Sequence, residues 1–285
     1  MKRIVYTLFV SILLISCQTK EETDIKVMTF NIRLDHAGDS LNNWKYRKDN
    51  AAQVILNNNI DILGTQEVLI NQLNDLKESL PQYNIIGVGR EDGKEAGEFA
   101  AIFYNKDRFK EIESGNFWLS ETPNIAGSKG WDAACERITT WAILEEIITK
   151  KQLFVINTHF DHVGETARRQ SVKMILEKAA QLHKGLPIIL TGDFNASPDS
   201  DIISALSDKT ASNTLIDSKT IAKETTGTEW TFHGFGRLPI EKRQLLDYIF
   251  VSNNIGINRY NVLPDTLGGI YVSDHKPVMI TATLN

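Results

Sequence analysis

The sequence predicts an α+β fold: two β-sheets packed face to face with helices outside. Short β-rich runs recur along the chain while only two segments carry a helical repeat, which argues against a strictly alternating parallel sheet. The composition, 42% hydrophobic and 24% charged over 285 residues, is that of a globular protein and excludes disorder, collagen-like repeats and a polytopic membrane protein. From Ile25 onward no linker, internal repeat or low-complexity stretch interrupts the chain, so residues 25–285 read as one domain.

Strands are expected at Lys26–Asn31, Asp61–Gln66, Tyr83–Val88, Phe99–Tyr104, Thr139–Leu144, Leu153–Thr158, Ile188–Thr191, Leu246–Val251 and Val278–Thr283. Between some of them lie helical patterns. In Ile70–Leu80, residues Ile70, Leu73, Leu76 and Leu80 share a face; in Glu165–His183, Val172, Ile175, Leu176 and Ala179 do. The glycines and aromatic residues of Thr225–Arg243 have the composition of a mobile flap.

The N-terminus is an address. Lys2 and Arg3 precede an apolar run, Ile4 to Ile15, of signal-peptide length and too short to span a bilayer comfortably. It ends in Leu14-Ile15-Ser16-Cys17, which resembles a bacterial lipobox. That resemblance implies a signal peptide over 1–16, a lipid on Cys17, a polar tether over 17–24, and a lipoprotein of the cell envelope, anchored at the outer membrane and facing the periplasm or the cell surface. Cleavage there changes the formal charge from -5 to -7, with 29 basic and 36 acidic side chains left. Such a balance offers no long-range attraction to duplex nucleic acid. Cys135 would be the one free thiol, which excludes an intramolecular disulfide.

Polar residues collect at strand ends. Asn31, Glu67 and His159 each close an apolar run; Asp193 and Asn195 follow another; Asp247 lies inside a run that otherwise reads as buried; Asp274-His275 precedes the last. A single Asn or Asp in such a place is usually a turn former. Six positions, all acid, amide or imidazole, suggest one site, and a carboxylate inside a buried strand needs a partner. Carboxylate and carboxamide oxygens are the ligands of Mg²⁺ or Mn²⁺. Zinc is disfavoured, because no close His/Cys spacing exists.

The ordered set Met28-Thr29-Phe30-Asn31, Gly64-Thr65-Gln66-Glu67, Asn157-Thr158-His159, Gly192-Asp193-Phe194-Asn195, Leu246-Asp247-Tyr248-Ile249 and Ser273-Asp274-His275 resembles the endonuclease/exonuclease/phosphatase superfamily. This is the fold of deoxyribonuclease I, deadenylases, inositol-polyphosphate 5-phosphatases and bacterial sphingomyelinases. The resemblance implies a four-layer α/β/β/α sandwich and a metal-dependent phosphoester hydrolase. It implies that Glu67 binds the metal, with Asn31 beside it and Asp274 at the metal's edge. It makes Asp193 and Asn195 the pair that handles water and phosphate, and His275, oriented by Asp247, the catalytic histidine. His159 matches the second histidine, Glu98 the glutamate that supports it, and Arg137 a phosphate-binding arginine of some members.

The substrate is less legible. No Lys/Arg run exceeds two residues, against a duplex nuclease. Trp118 and Trp131, in Gly-bearing loops, are candidates for a platform under a sugar or base. Arg90 and Arg137 are candidates for holding a second or terminal phosphate, and Asp92, Asp132 and Asp161 for accepting hydroxyl hydrogen bonds. A small phosphorylated substrate such as a sugar phosphate is the favoured expectation. Nucleic acid comes next, phospholipid head groups third, and a non-catalytic binding lipoprotein last; no protein partner is evident.

Overall fold

The computed structural model describes residues 24–207 and 214–284. The signal peptide, Cys17 and all of the tether except Asp24 lie outside the described residues.

The strands, in chain order, are Ile25–Asn31 (β1), Ile62–Gln66 (β2), Tyr83–Ile86 (β3), Ile102–Asn105 (β4), Phe109–Trp118 (β5), Ile138–Glu146 (β6), Gln152–His159 (β7), Ile188–Asp193 (β8), Ile216–Asp217 (β9), Glu224–Thr226 (β10), Asp247–Val251 (β11), Ile255–Val262 (β12), Thr266–Leu267 (β13), Ile270–Tyr271 (β14) and Val278–Leu284 (β15). The helices are Trp44–Asn57 (α1), Ile70–Ser79 (α2), Glu165–Leu182 (α3), Asp201–Leu206 (α4) and the single turn Ser218–Ile221 (α5). One mixed sheet runs β10-β12-β15-β1-β2-β4-β3, the other β5-β6-β7-β8-β11-β9, and β13 and β14 form a small ribbon. The sheets pack face to face. Helices α1 and α2 cover the outside of the first, α3 and α4 the outside of the second. This is the four-layer sandwich.

Strand alternation explains both the core and the site. Successive side chains of a strand point to opposite faces. In β1, Ile25 and Val27 enter the core between the sheets, while Met28 and Phe30 pack outward with Ala51 and Ile55 of α1. The inward set then turns polar at Thr29 and Asn31, both fully buried. In β7, Val155 is followed inward by Asn157 and His159; in β8, Ile189 by Thr191 and Asp193; in β11, Asp247 lies two residues before Ile249. Parallel and antiparallel pairing bring His159, Asp193 and Asp247 into register. The space between the sheets is therefore apolar at one end and polar at the other.

A buried hydrogen-bonded layer separates the two. Gln66 Nε2 donates to Thr29 Oγ1 (3.0 Å) and Asn157 Oδ1 (2.7 Å), and Thr191 Oγ1 donates to the same oxygen (3.0 Å). Asn157 Nδ2 donates to the carbonyls of Thr65 (2.8 Å) and Ala101 (3.0 Å) on the opposing sheet.

Three long elements carried no usable sequence signal. The interior of β5 is largely exposed and charged, since β5 is a sheet edge; β12 has a register shift between Ile257 and Arg259 that breaks its alternation; α1 holds a buried arginine, Arg47, on its apolar face. Thr225–Arg243 is not a free flap. Thr231, His233 and Phe235 are buried, and the N–H groups of His233 and Gly234 donate to the Asp274 carbonyl.

At Gly64 the sheets approach so closely that a Cβ would lie 2.2 Å from Thr191 Oγ1 and 2.5 Å from Asn157 Oδ1. Both are fixed by the buried layer, so Gly64→Ala should lower the unfolding free energy by roughly 3 kcal/mol or more. Urea denaturation measures this; a loss below about 1 kcal/mol would mean that the layer is loose.

Candidate active site

The polar end opens as a cleft of about 280 Å³ lined by Glu67, Glu98, His159, Asp193, Asn195, Asp274 and His275, together with Arg33, Arg90, Arg137, His162 and Cys135. Phe232, Leu34 and Leu246 form its apolar surface. Asn31 lies beneath and ties the two sheets. Its Nδ2 donates to Glu67 Oε1 after β2 and to Asp193 Oδ2 on β8, each at 2.9 Å. Its Oδ1 accepts from the Arg33 N–H (2.9 Å), so this side-chain amide turns its donors, not its oxygen, to the carboxylates. Three residues of the cleft, Arg33, Glu67 and Asn195, have φ of 58°, 59° and 46°. Such backbone costs on the order of 1–3 kcal/mol for a non-glycine residue and persists where its surroundings enforce it.

The pKa values of the two histidines are pushed in opposite directions. His275 Nδ1 donates to Asp247 Oδ2 at 2.8 Å, and its Nε2 faces Asp193 Oδ2 at 3.8 Å. Burial alone would discharge this ring; Asp247, then Asp193 and Asp274, hold its pKa well above the usual histidine range. Phe232 lies against it, ring centroids 4.9 Å apart. Burial and the nearby Arg137 and Arg90 push His159 well below the usual range, so its ring is neutral. Its Nε2 accepts from Asn195 Nδ2 (3.2 Å) and lies 3.6 Å from Asp193.

The carboxylates differ in the same way. Burial and Asp247 raise Asp193 to about 7. Burial raises Asp274, and burial together with Glu67 raises Glu98. Glu67 resists burial and stays below its ordinary value, because His275, Asn31, Arg33 and the Leu34 N–H favour its charged form. A cation for Glu67 and Asp274 is already near: Arg33 stands 3.7 Å from one and 3.9 Å from the other. Glu67 and Asp193 offer carboxylate oxygens close enough to share an ion, with an imidazole nitrogen of His159 at the same point. This fits a hard divalent cation.

Several expected residues make contacts other than those expected of them, and some lie outside the cleft. Glu98 lies 3.8 Å from His159 Nδ1, beyond a hydrogen bond, and its short contact is Arg90 Nη1 at 2.7 Å. Trp118 is 6% exposed and does not line the cleft; its indole donates to the Arg90 carbonyl (2.6 Å) and so props that loop. Trp131, with φ of 49°, is also outside the lining, its N–H held by Glu121. Neither is a platform here. Asp161 is 1% exposed, and its oxygens take the N–H groups of Ala134, Cys135, Val163 and Gly164 together with Arg137 Nε. No lone pair remains for a substrate. Asp132 caps α3 through Thr166 and Ala167, and Asp92 closes its own loop on Lys94 and Ala96. Arg33 and Phe232 also line the cleft. Neither carries a motif, and tertiary packing alone brings Phe232 to His275.

This fold and cleft define a class. Residues 28–275 match the endonuclease/exonuclease/phosphatase family, and the chain belongs to it. Members of this family are phosphoesterases and nucleases, generally dependent on a divalent metal, and this chain is an enzyme of that class. A family structure from Bacteroides vulgatus is 44% identical, covers 92% of this chain and 100% of its own, and superposes with a TM-score of 0.89. A mannosyl-6-phosphatase from Bacteroides thetaiotaomicron is 38% identical over 91% of this chain and 99% of its own, with a TM-score of 0.84. Among curated proteins, a probable CCR4-Not complex 3'-5'-exoribonuclease subunit from Vairimorpha ceranae is 27% identical over 207 residues; the match spans 64% of this chain but 43% of that protein's length.

The Asp161 hub makes a stability prediction. Its backbone donors hold its pKa below the ordinary aspartate range. A carboxylate depressed on folding contributes stability that is present above its unfolded pKa of ~3.9 and is lost as pH falls toward the folded value. Asp161→Ala should therefore cost roughly 3 kcal/mol at pH 7. The gap to wild type should narrow by roughly 1 kcal/mol between pH 5 and pH 3. Denaturation at these pH values measures it; a pH-independent gap would assign the loss to packing.

Proposed function

We propose that the protein is a divalent-metal-dependent phosphomonoesterase acting on a small phosphorylated molecule, with a sugar phosphate as its substrate class. The observation that carries this is the convergence of Glu67, Asp193, Asn195, His159, Asp274 and His275 on one cleft of about 280 Å³. That volume lies at the small end of ligand sites and suits one compact molecule better than a polymer strand. The mannosyl-6-phosphatase relative supports the same class.

In this proposal Glu67 and Asp274 hold Mg²⁺ or Mn²⁺, which supplies Lewis-acid charge to the phosphoryl oxygens. The protein's own groups do the rest. Asp193, backed by the Asn195 N–H at 2.9 Å, orients the attacking water and takes its proton. His275, cationic against Asp247, offers Nε2–H to a phosphoryl oxygen, while Asn195 and the neutral His159 fix the opposite side. Arg33, between Glu67 and Asp274, adds a second positive charge. We further propose that the chain is lipid-anchored through Cys17 in the cell envelope, supported by the Leu14-Ile15-Ser16-Cys17 sequence.

The test is a panel of sugar phosphates, p-nitrophenyl phosphate, bis-p-nitrophenyl phosphate and single-stranded and duplex DNA at ~1 mM Mg²⁺ or Mn²⁺. Phosphate release from monoesters, abolished by EDTA and restored by the ion, is the expected result. Diester activity alone would make the protein a nuclease instead. Glu67→Ala, Asp193→Asn and His275→Ala should each lower kcat by about 10²–10⁴-fold with near-native melting. If all three unfold the domain, the polar cluster is structural.

A further inference from the structure

We infer that Arg90, Glu98, Arg137 and His162 form a subsite that reads the hydroxyl groups of the leaving alcohol, and that the substrate therefore carries one phosphate on a polyol. This rests on the phosphomonoesterase proposal above and adds to it the part of the cleft that selects the alcohol.

All four side chains line the cleft on the side of His159. Each arginine is already matched by a carboxylate. Arg90 Nη1 donates to Glu98 Oε2 at 2.7 Å, and Arg137 Nε donates to Asp161 Oδ2 at 3.3 Å. Arg137 Nη2 donates to His162 Nδ1 at 3.0 Å, which turns Nε2 of that ring away from the guanidinium as its free polar edge. Both guanidinium groups are held in ion pairs, so this surface presents paired charge rather than a free cation for a second phosphate. It offers directed hydrogen bonds instead. Arg137 is 5% exposed, and its Nη1, like Arg90 Nε, is a buried donor with no acceptor among the described residues. Such donors are costly unless something pairs with them. Glu98 engages Oε2 alone among the described residues, which keeps Oε1 as an acceptor beside the donors. A hydroxyl is both donor and acceptor, and neighbouring hydroxyls of a sugar match an array of alternating donors and acceptors. Trp118 fixes the array from behind through the Arg90 carbonyl.

The experiment compares kcat/KM for a hexose 6-phosphate with that for p-nitrophenyl phosphate, which has no hydroxyls, at saturating Mn²⁺. The two are measured on the full chain and on Arg90→Met and His162→Ala. The ratio should fall roughly 30-fold in Arg90→Met and roughly 5-fold in His162→Ala, chiefly through KM of the sugar phosphate. His162 is exposed, so its variant keeps the test open if Arg90→Met fails to melt like wild type. A hexose bisphosphate should gain nothing over the monophosphate. A ratio unmoved in a folded variant, or a bisphosphate preferred by more than tenfold, overturns the inference while leaving the phosphomonoesterase proposal intact. No release from any monoester overturns both.

Discussion

The structure depends on one side chain that belongs to both sheets at once. Asn31 sits at the end of the central strand of the first sheet and donates one N–H to a carboxylate of its own sheet and the other to a carboxylate of the second. Two acids that would repel are thereby held at a fixed spacing by a neutral donor. The Ser273 hydroxyl donates to the Asn31 carbonyl at 2.7 Å and binds the last-strand segment, with Asp274 and His275, to the same point. Four distant stretches of chain meet here because one amide has no other way to satisfy its hydrogens in a dry interior.

Around that link the protein divides charge rather than accumulating it. One imidazole is pushed toward its cationic form by a carboxylate that faces it inside the sandwich, and the other is pushed toward its neutral form by burial and then by the nearby arginines. Glu67 stays ionised while Asp193, close by and more deeply buried, does not do so readily. Groups of the same type acquire different tasks from their surroundings alone. Beneath them, the Gln66–Asn157–Thr191 layer keeps the apolar core from relaxing into the polar end.

Much of this was legible from the sequence, for a physical reason. A buried strand writes its partition as a run of aliphatic residues, and a chemical group at its end stands out against that run. Asn31, Glu67, His159, Asp193 and Asp247 were visible in this way. Glu98 and Arg90 stand out singly in the sequence, but their pairing with each other is a property of the folded loop. Asp161 and Trp118 turn to backbone rather than to the cleft, because a polar atom near glycine has the same sequence signature whether it meets ligand or its own chain. Phe232 was invisible as a site residue, since its place is set by an isolated bridge to His275 rather than by any local pattern.

The chain comes into the sandwich at the pole farthest from its chemistry. Asp24 is pinned there by Asn258 and Thr283, and Arg108 grips its carbonyl. The seven residues of β1 then climb about 20 Å to the reaction centre. Whatever precedes Asp24 in the chain therefore joins the domain at the end of β1 opposite the cleft, so a pull on it loads the Asp24 contacts before it reaches the groups around Asn31.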